Sequence, residues 1–209
     1  MLHLVGETSR EWVTHAVAHF SRVLVDHAHC EHKAAVTALS FCGKYPDDPK
    51  LVVALGSLAS DEAGHYARVA ALCVARGLDL GHPERDPYVD GLLAQVRKDN
   101  VLDGRVDRLL CAALIEGRSC ERLKLLADEL PKHRSEFVDD MIDDNVCALY
   151  ADLWREEATH HLLFIDLAER SYERSGVKEA KQKTTARLAQ LAAAEGELVK
   201  TLPVRAAIH

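Results

Sequence analysis

Apolar residues recur along most of the chain at spacings of three and four, the period of an amphipathic helix, and nothing reads as a strand by alternation. Thr8, with Glu11 three residues on, reads as a capping box, and the periodicity then runs to Phe41 before Gly43 and Pro46 stop it. One helix, or a short one followed by a long one, satisfies that stretch. Asp48-Pro49 is an N-cap followed by proline at the first helical position, opening a helix that ends at Arg76-Gly77. Residues 77–87 (GLDLGHPERDP) form the clearest loop, followed by a short helical piece and a second break at 100–104. A third long helix is predicted from about Arg105 to Leu130, stopped by Pro131. A fourth covers roughly 135–175, with a break near 143–145 and Gly176 after it, and a last amphipathic segment spans 177–202.

The short links at 43–48 and 131–134 make two antiparallel pairs, and the segment 77–104 must carry the chain from one pair to the other. The predicted fold is all-α, a four-helix bundle with a long crossover between its second and third helices. A chain of 209 residues suits one domain, 1–209, with its core in 20–175 and a C-terminal amphipathic helix over 177–202.

Each long helix carries a carboxylate where its apolar stripe requires a hydrophobe. The stripes are Leu24, Ala28, Glu31, Ala35, Ala38; Leu51, Leu55, Leu58, Glu62, His65, Val69; Leu109, Ala113, Glu116, Cys120, Leu123; and Val146, Tyr150, Leu153, Glu157, His160, Phe164. Four ionised carboxylates in a core cost several kcal/mol each unless positive charge sits among them. Glu62 and Glu157 each have a histidine three residues later, close enough on a helix for both side chains to reach one ion. Four oxygen donors and two imidazoles suit a pair of iron ions, or manganese, and poorly suit a thiolate-loving metal. Glu121 competes on the third helix, but its neighbours Gly117, Arg118, Lys124 and Asp128 predict a solvated face. On the fourth helix Glu156 has Thr159 at i+3 where Glu157 has His160, and His161 is the weaker alternative at i+4. His27, Tyr66, Tyr150 and His161 are the candidates for supporting contacts, with plain packing as the alternative for each.

Composition and charge narrow the class. No basic leader precedes a long apolar run, no apolar stretch approaches the length of a membrane span, and the six cysteines include no C-x-x-C. These features predict a cytoplasmic protein with free thiols. The formal charge of −7 argues at first against a nucleic-acid partner. Four of the acids belong to the proposed centre, however, and two divalent ions would bring the charge to −3. The stretch 170–187 is net +4, with Arg170, Arg174, Lys178, Lys181, Lys183 and Arg187, and Arg97 and Lys98 add cations in the crossover. That face is a candidate footing for phosphates, against the plainer reading of a solvated surface.

The ligand pattern is similar to that of the ferritin-like di-iron carboxylate proteins. Within them, DHAHCEHKAA (26–35), LASDEAGHYARV (58–69), LLCAALIEGRSCERLKLLA (109–127) and LWREEATHHLLFIDLAE (153–169) resemble the MiaE family, the tRNA-(2-methylthio-N6-isopentenyladenosine-37) hydroxylases. The likeness covers roughly 20–172, and all six ligand positions are filled. It implies an O2-dependent di-iron monooxygenase that hydroxylates the prenyl chain on adenosine 37 of tRNA. It also implies an external electron donor such as a reductase, and a monomer or homodimer. The alternatives are a ferritin-like iron-handling or peroxidase protein, a di-iron oxygenase of a small apolar substrate, and a metal-free bundle.

Overall fold

The computed structural model describes residues 3–134 and 141–209. It contains α1 (Arg10–Ala18), α2 (Phe20–Lys44), α3 (Pro49–Ala75), α4 (Pro87–Leu93), α5 (Val101–Glu129), α6 (Asp144–Glu156), α7 (His160–Arg174) and α8 (Ala180–Thr201). Among the described residues there is no strand, and no helix is long and apolar enough to cross a membrane. The architecture is the expected four-helix bundle. Helices α2 and α3 pack densely as one antiparallel pair, and α5 packs against α6 and α7 as the other. Helix α4 lies in the crossover, and α8 packs on α4, α5 and α7.

Local chemistry explains most boundaries. Asp48 caps α3 by accepting from the Leu51 N–H, with Pro49 behind it. Gly77 ends the same helix at φ 67°, which lets the Leu78 N–H donate back to Cys73 O at 3.0 Å, and Gly176 repeats the device after α7. Other boundaries differ from expectation. The cap of α1 is Ser9, whose side chain accepts from Trp12 N, while Thr8 hydrogen-bonds to Glu121 instead. Asn100 caps α5 by accepting from the N–H groups of Leu102 and Asp103, so that helix starts at Val101, a turn earlier than Arg105. The fourth bundle helix is in two pieces: α6 starts after the Asp143 cap, and a 3-10 turn at Glu157–Thr159 separates it from α7. The start expected at 135 falls outside the described residues.

The bundle core is divided along its length. Phe41, Leu51, Leu55, Leu109, Phe164 and Leu167 belong to one apolar cluster, and Val23, Leu24, Val69, Leu123, Val146 and Leu153 to another. On every bundle helix the crossing point is the position of the candidate ligands. A polar layer therefore sits at mid-height between two hydrophobic plugs.

Charge pairs tie the crossover and α8 to the bundle. Asp107 is fully buried and takes Arg97 Nη2 at 2.7 Å and Arg187 Nη2 at 2.8 Å. Burial alone would raise its pKa, but the guanidiniums of Arg187 and Arg97 prevail and hold it at about 2. The folded value lies below the unfolded one, so the stabilisation is complete above about pH 4 and is lost as pH falls through about 2. Asp107→Asn is expected to cost about 2 kcal/mol at pH 7. In urea unfolding, the gap from the parent chain should shrink as the pH is lowered to about 3.

Candidate metal centre

The polar layer draws side chains from four bundle helices. Helix α2 contributes Glu31, α3 contributes Glu62 and His65 one turn apart, and α5 contributes Glu116. Glu157 and His160 come from the junction of α6 and α7, where the 3-10 turn falls between the two. A 3-10 stretch inside a helix commonly marks a functional position, and here Glu157 within it is buried. All six side chains are buried or nearly so, at 1–8% exposure for the carboxylates and His65 and 2% for Glu157 within that range.

Potential ligand atoms gather in two overlapping groups, each within 4.8 Å: Glu31, Glu62, His65 and Glu157, then Glu62, Glu116, Glu157 and His160. Each hairpin thus gives three members to its own group and one carboxylate to the other. Both imidazoles aim Nδ1 inward. His65 Nδ1 lies 2.6 Å from Glu157 Oε1 and 3.5 Å from Glu31 Oε2, and His160 Nδ1 lies 2.9 Å from Glu62 Oε1 and 2.7 Å from Glu157 Oε2.

The layer has the chemistry of a cation site. Glu62 Oε1, His65 Nδ1 and Glu157 Oε1 are buried without a hydrogen-bond partner, because the 2.6 Å approach of the last two is out of line for one. Such orphaned atoms are costly unless something absent from the protein chain satisfies them. Burial disfavours imidazolium, yet the carboxylates of Glu157, Glu31 and Glu62 push His65 up to about 12. Glu157 and Glu62 likewise bring His160 to about 11. For Glu116, burial and then repulsion from Glu62 and Glu157 push the carboxyl well above its usual range. Repulsion among carboxylates and strong attraction for positive charge are both relieved by metal ions, whose binding displaces those protons. Two nitrogens among oxygen donors fit iron.

The supporting residues divide. His27 Nε2 is 2.6 Å from Glu31 Oε1 and its Nδ1 is 3.1 Å from the Tyr150 hydroxyl, a buried relay that orients the carboxylate. Burial would raise the Glu31 pKa, but the hydrogen bond with His27 and the nearby His65 imidazole hold it at about 2. Tyr66 instead turns its ring toward His32, at 5.7 Å between centroids, and His161 lies against His3, at 6.1 Å. Neither belongs to the two ligand groups. Glu156, weighed in the sequence only as a rival ligand, stands behind His65 with Oε2 2.9 Å from Nε2 and is itself held by Arg68. Outer contacts of this kind fix the ring that ligates.

Glu121 is outside the centre, as its helical face implied, but only the Lys124 and Asp128 end of that face is solvated. Gly117 and Arg118 are buried, and Glu121 joins Arg118 and Thr8 in a separate network.

A cavity of about 300 Å³ adjoins the layer and touches Glu31, Glu62, Glu116 and Glu157. Its other walls are mainly apolar, including Ala112, Ile115, Leu123 and Phe164. The cavity lies between α2 and α5, whose backbones approach each other sparsely.

The candidate phosphate contacts are of two kinds. Arg97 and Arg187 are committed to Asp107, and Arg170 and Arg174 to Asp48. Lys98, Lys178, Lys181 and Lys183 are exposed.

The chain is similar to several known proteins. A tRNA 2-(methylsulfanyl)-N(6)-isopentenyladenosine(37) hydroxylase of Pseudomonas putida is 34% identical over 161 residues, 77% of this chain and 72% of its own. The enzyme of that name from Salmonella typhimurium is 26% identical, over 78% of this chain and 73% of its own. A solved structure described as protein 43 with aldehyde deformylating oxygenase activity, from Synechococcus, superposes with a TM-score of 0.82 at 35% identity. That superposition covers 99% of this chain and 94% of the other. The sequence model of the tRNA-(MS[2]IO[6]A)-hydroxylase (MiaE) family matches residues 2–209. From end to end, then, this chain belongs to the MiaE family.

Proposed function

We propose that the protein is a di-iron monooxygenase that hydroxylates the isopentenyl group of 2-methylthio-N6-isopentenyladenosine at position 37 of tRNA. The observation that carries this reading is the pairing of a complete four-carboxylate, two-histidine layer with an apolar cavity that reaches four of its carboxylates. One iron would be held by Glu31, Glu62, His65 and Glu157, the other by Glu62, Glu116, Glu157 and His160. When bound, the irons supply reductive activation of O2. The overall change is R–H + O2 + 2 electrons + 2 protons → R–OH + H2O.

The chain's own residues do the rest. The hydrophobic plugs above and below the layer keep bulk water out, which strengthens every electrostatic interaction inside. His27 and Glu156 hold Glu31 and His65 in place. The cavity takes the prenyl arm, while the base, presented out of the anticodon loop, stays at the mouth. Exposed Lys98, Lys178, Lys181 and Lys183 are the cations left to meet phosphates. The two electrons come from a separate donor such as a reductase. Residues 1–209 act as one ferritin-like domain, as a monomer or homodimer, in the cytoplasm where tRNA is found.

A second reading, oxidation of a small apolar aldehyde, draws on the Synechococcus protein and on the apolar cavity. One assay separates the two. With reductant and O2, the iron-loaded protein is expected to add one oxygen to the prenylated nucleoside of a suitable tRNA, read by nucleoside mass analysis. Turnover of a straight-chain aldehyde with no gain on tRNA would replace the first reading by the second.

A further inference from the structure

Four-helix bundles usually close each seam by packing neighbouring helices together. The seam between α2 and α5 is closed differently. After α8 the segment 203–209 runs back across the molecule and lays Ala207 and Ile208 into the bundle, at 4% and 1% exposure. Ile208 and His209 stand in the wall of the cavity that touches the four carboxylates.

The way this segment is held separates its backbone from its side chains. Trp12 Nε1 donates to Ala207 O at 3.1 Å, Ile208 N donates to Asp26 Oδ2 at 2.7 Å, and Arg122 Nη1 donates to Ile208 O at 2.9 Å. All three bonds grip main-chain atoms, so they hold residues 207–208 whatever side chain stands at 208, while Ile208 itself packs into the apolar cluster with Trp12 and Leu123. His209 is fixed by its ring: Nε2 lies 2.7 Å from Ser119 Oγ, Nδ1 lies 3.1 Å from Asp86 Oδ2, and the ring stacks on Tyr88 at 5.4 Å. Ser119 is one turn beyond Glu116, and Asp86 is the cap of α4. The wall is thereby registered against both a candidate ligand helix and the crossover.

We infer that Ile208 and His209 form the substrate-facing wall of the metal cavity, and that Ile208 sets the size of the alkyl group that reaches the carboxylates. The inference rests on the hydroxylase reading for the nature of that group. Ile208 is a specificity-determining residue here; His209 is a positioning residue that holds the wall against Ser119 and Asp86. A single methylene in an apolar pocket changes discrimination roughly 10–200-fold, which gives the scale of the effect.

The test uses the full iron-loaded chain and the variants Ile208→Ala, Ile208→Val and Ile208→Phe, with iron content as the control for folding. Two readouts are taken. The first is calorimetric binding of straight-chain alcohols of increasing length, which probes the cavity without turnover. The second is relative kcat/KM on tRNA carrying an isopentenyl or a longer geranyl group on N6 of adenosine 37. Ile208→Ala should lengthen the longest alcohol bound and shift preference toward geranyl by roughly tenfold or more. Ile208→Phe should shorten that alcohol and lower kcat/KM for isopentenyl by a similar factor, and Ile208→Val should move both in the direction of alanine by less. An unchanged alcohol cut-off in iron-replete variants overturns the wall assignment, whatever the tRNA result. A cut-off that moves, in a protein whose parent form hydroxylates no tRNA, upholds the wall and overturns the hydroxylase reading.

Discussion

Glu157→Ala is expected to empty both halves of the metal centre and abolish hydroxylation, whereas Glu116→Ala is expected to empty one half. Glu157 belongs to both ligand groups, and its two oxygens lie 2.6 Å from His65 Nδ1 and 2.7 Å from His160 Nδ1. Its loss removes a donor from each candidate ion site and leaves the imidazoles of His65 and His160 without their nearest carboxylate. Glu116 belongs only to the group with His160. Metal analysis after reconstitution with ferrous iron checks this: about two ions per chain for the parent, close to none for Glu157→Ala and about one for Glu116→Ala. Glu157→Gln should resemble the alanine variant, since the amide keeps the shape but not the charge. Full iron content in Glu157→Ala would refute the shared-ligand assignment.

The largest expected loss of stability lies away from the metal. Arg118 and Glu195 are both fully buried and meet through Nε and Nη2 at 2.9 Å each. Arg118 also donates to Gly6 O at 2.9 Å, to Thr8 Oγ1 at 3.1 Å and to Glu121, while Tyr88 donates to Glu195 at 3.1 Å. One guanidinium thus joins the segment before α1 to α5 and α8. Removing one partner of such a pair leaves a buried charge uncompensated and costs about 3–5 kcal/mol. For a chain of this size Glu195→Ala should lower the melting temperature by roughly 10 °C. Adding Arg118→Leu should not recover that loss, because Gly6 O and Glu121 then lose their donor as well. A shift within about 1 °C for the single variant would show that the network adds nothing.

These two regions differ in how far they could be read from the amino-acid order. The polar layer is legible because it breaks a strong rule in a regular place: one glutamate on the apolar stripe of each long helix, two of them followed by histidine. Position along each stripe carried that signal, and the six side chains meet as the spacing implied. Helix ends were legible where chemistry is local, as at Asp48-Pro49 and Gly77. Arg118 was not. A charged residue beside Gly117, Lys124 and Asp128 reads as surface, and its burial depends on Gly6, Thr8 and Glu195, which are distant in sequence. The cations of 170–187 show the same effect, since Arg170, Arg174 and Arg187 answer Asp48 and Asp107 rather than solvent alone. Residues 203–209 carry no periodic pattern at all, and their place in the cavity wall follows from backbone bonds that sequence does not encode visibly.

The exchange of one carboxylate between hairpins has a consequence for how the molecule assembles. Helices α2 and α3 form from nearby residues, as do α5 to α7, and each hairpin carries three candidate ligands of its own. Neither hairpin can complete an ion's coordination by itself, since Glu62 and Glu157 are each needed across the divide. Bound iron would therefore report correct docking as well as supply chemistry: a half-assembled or mispaired chain would have no full-affinity place to put it. Reactive oxygen chemistry would be confined in this way to molecules whose two halves have already closed around it.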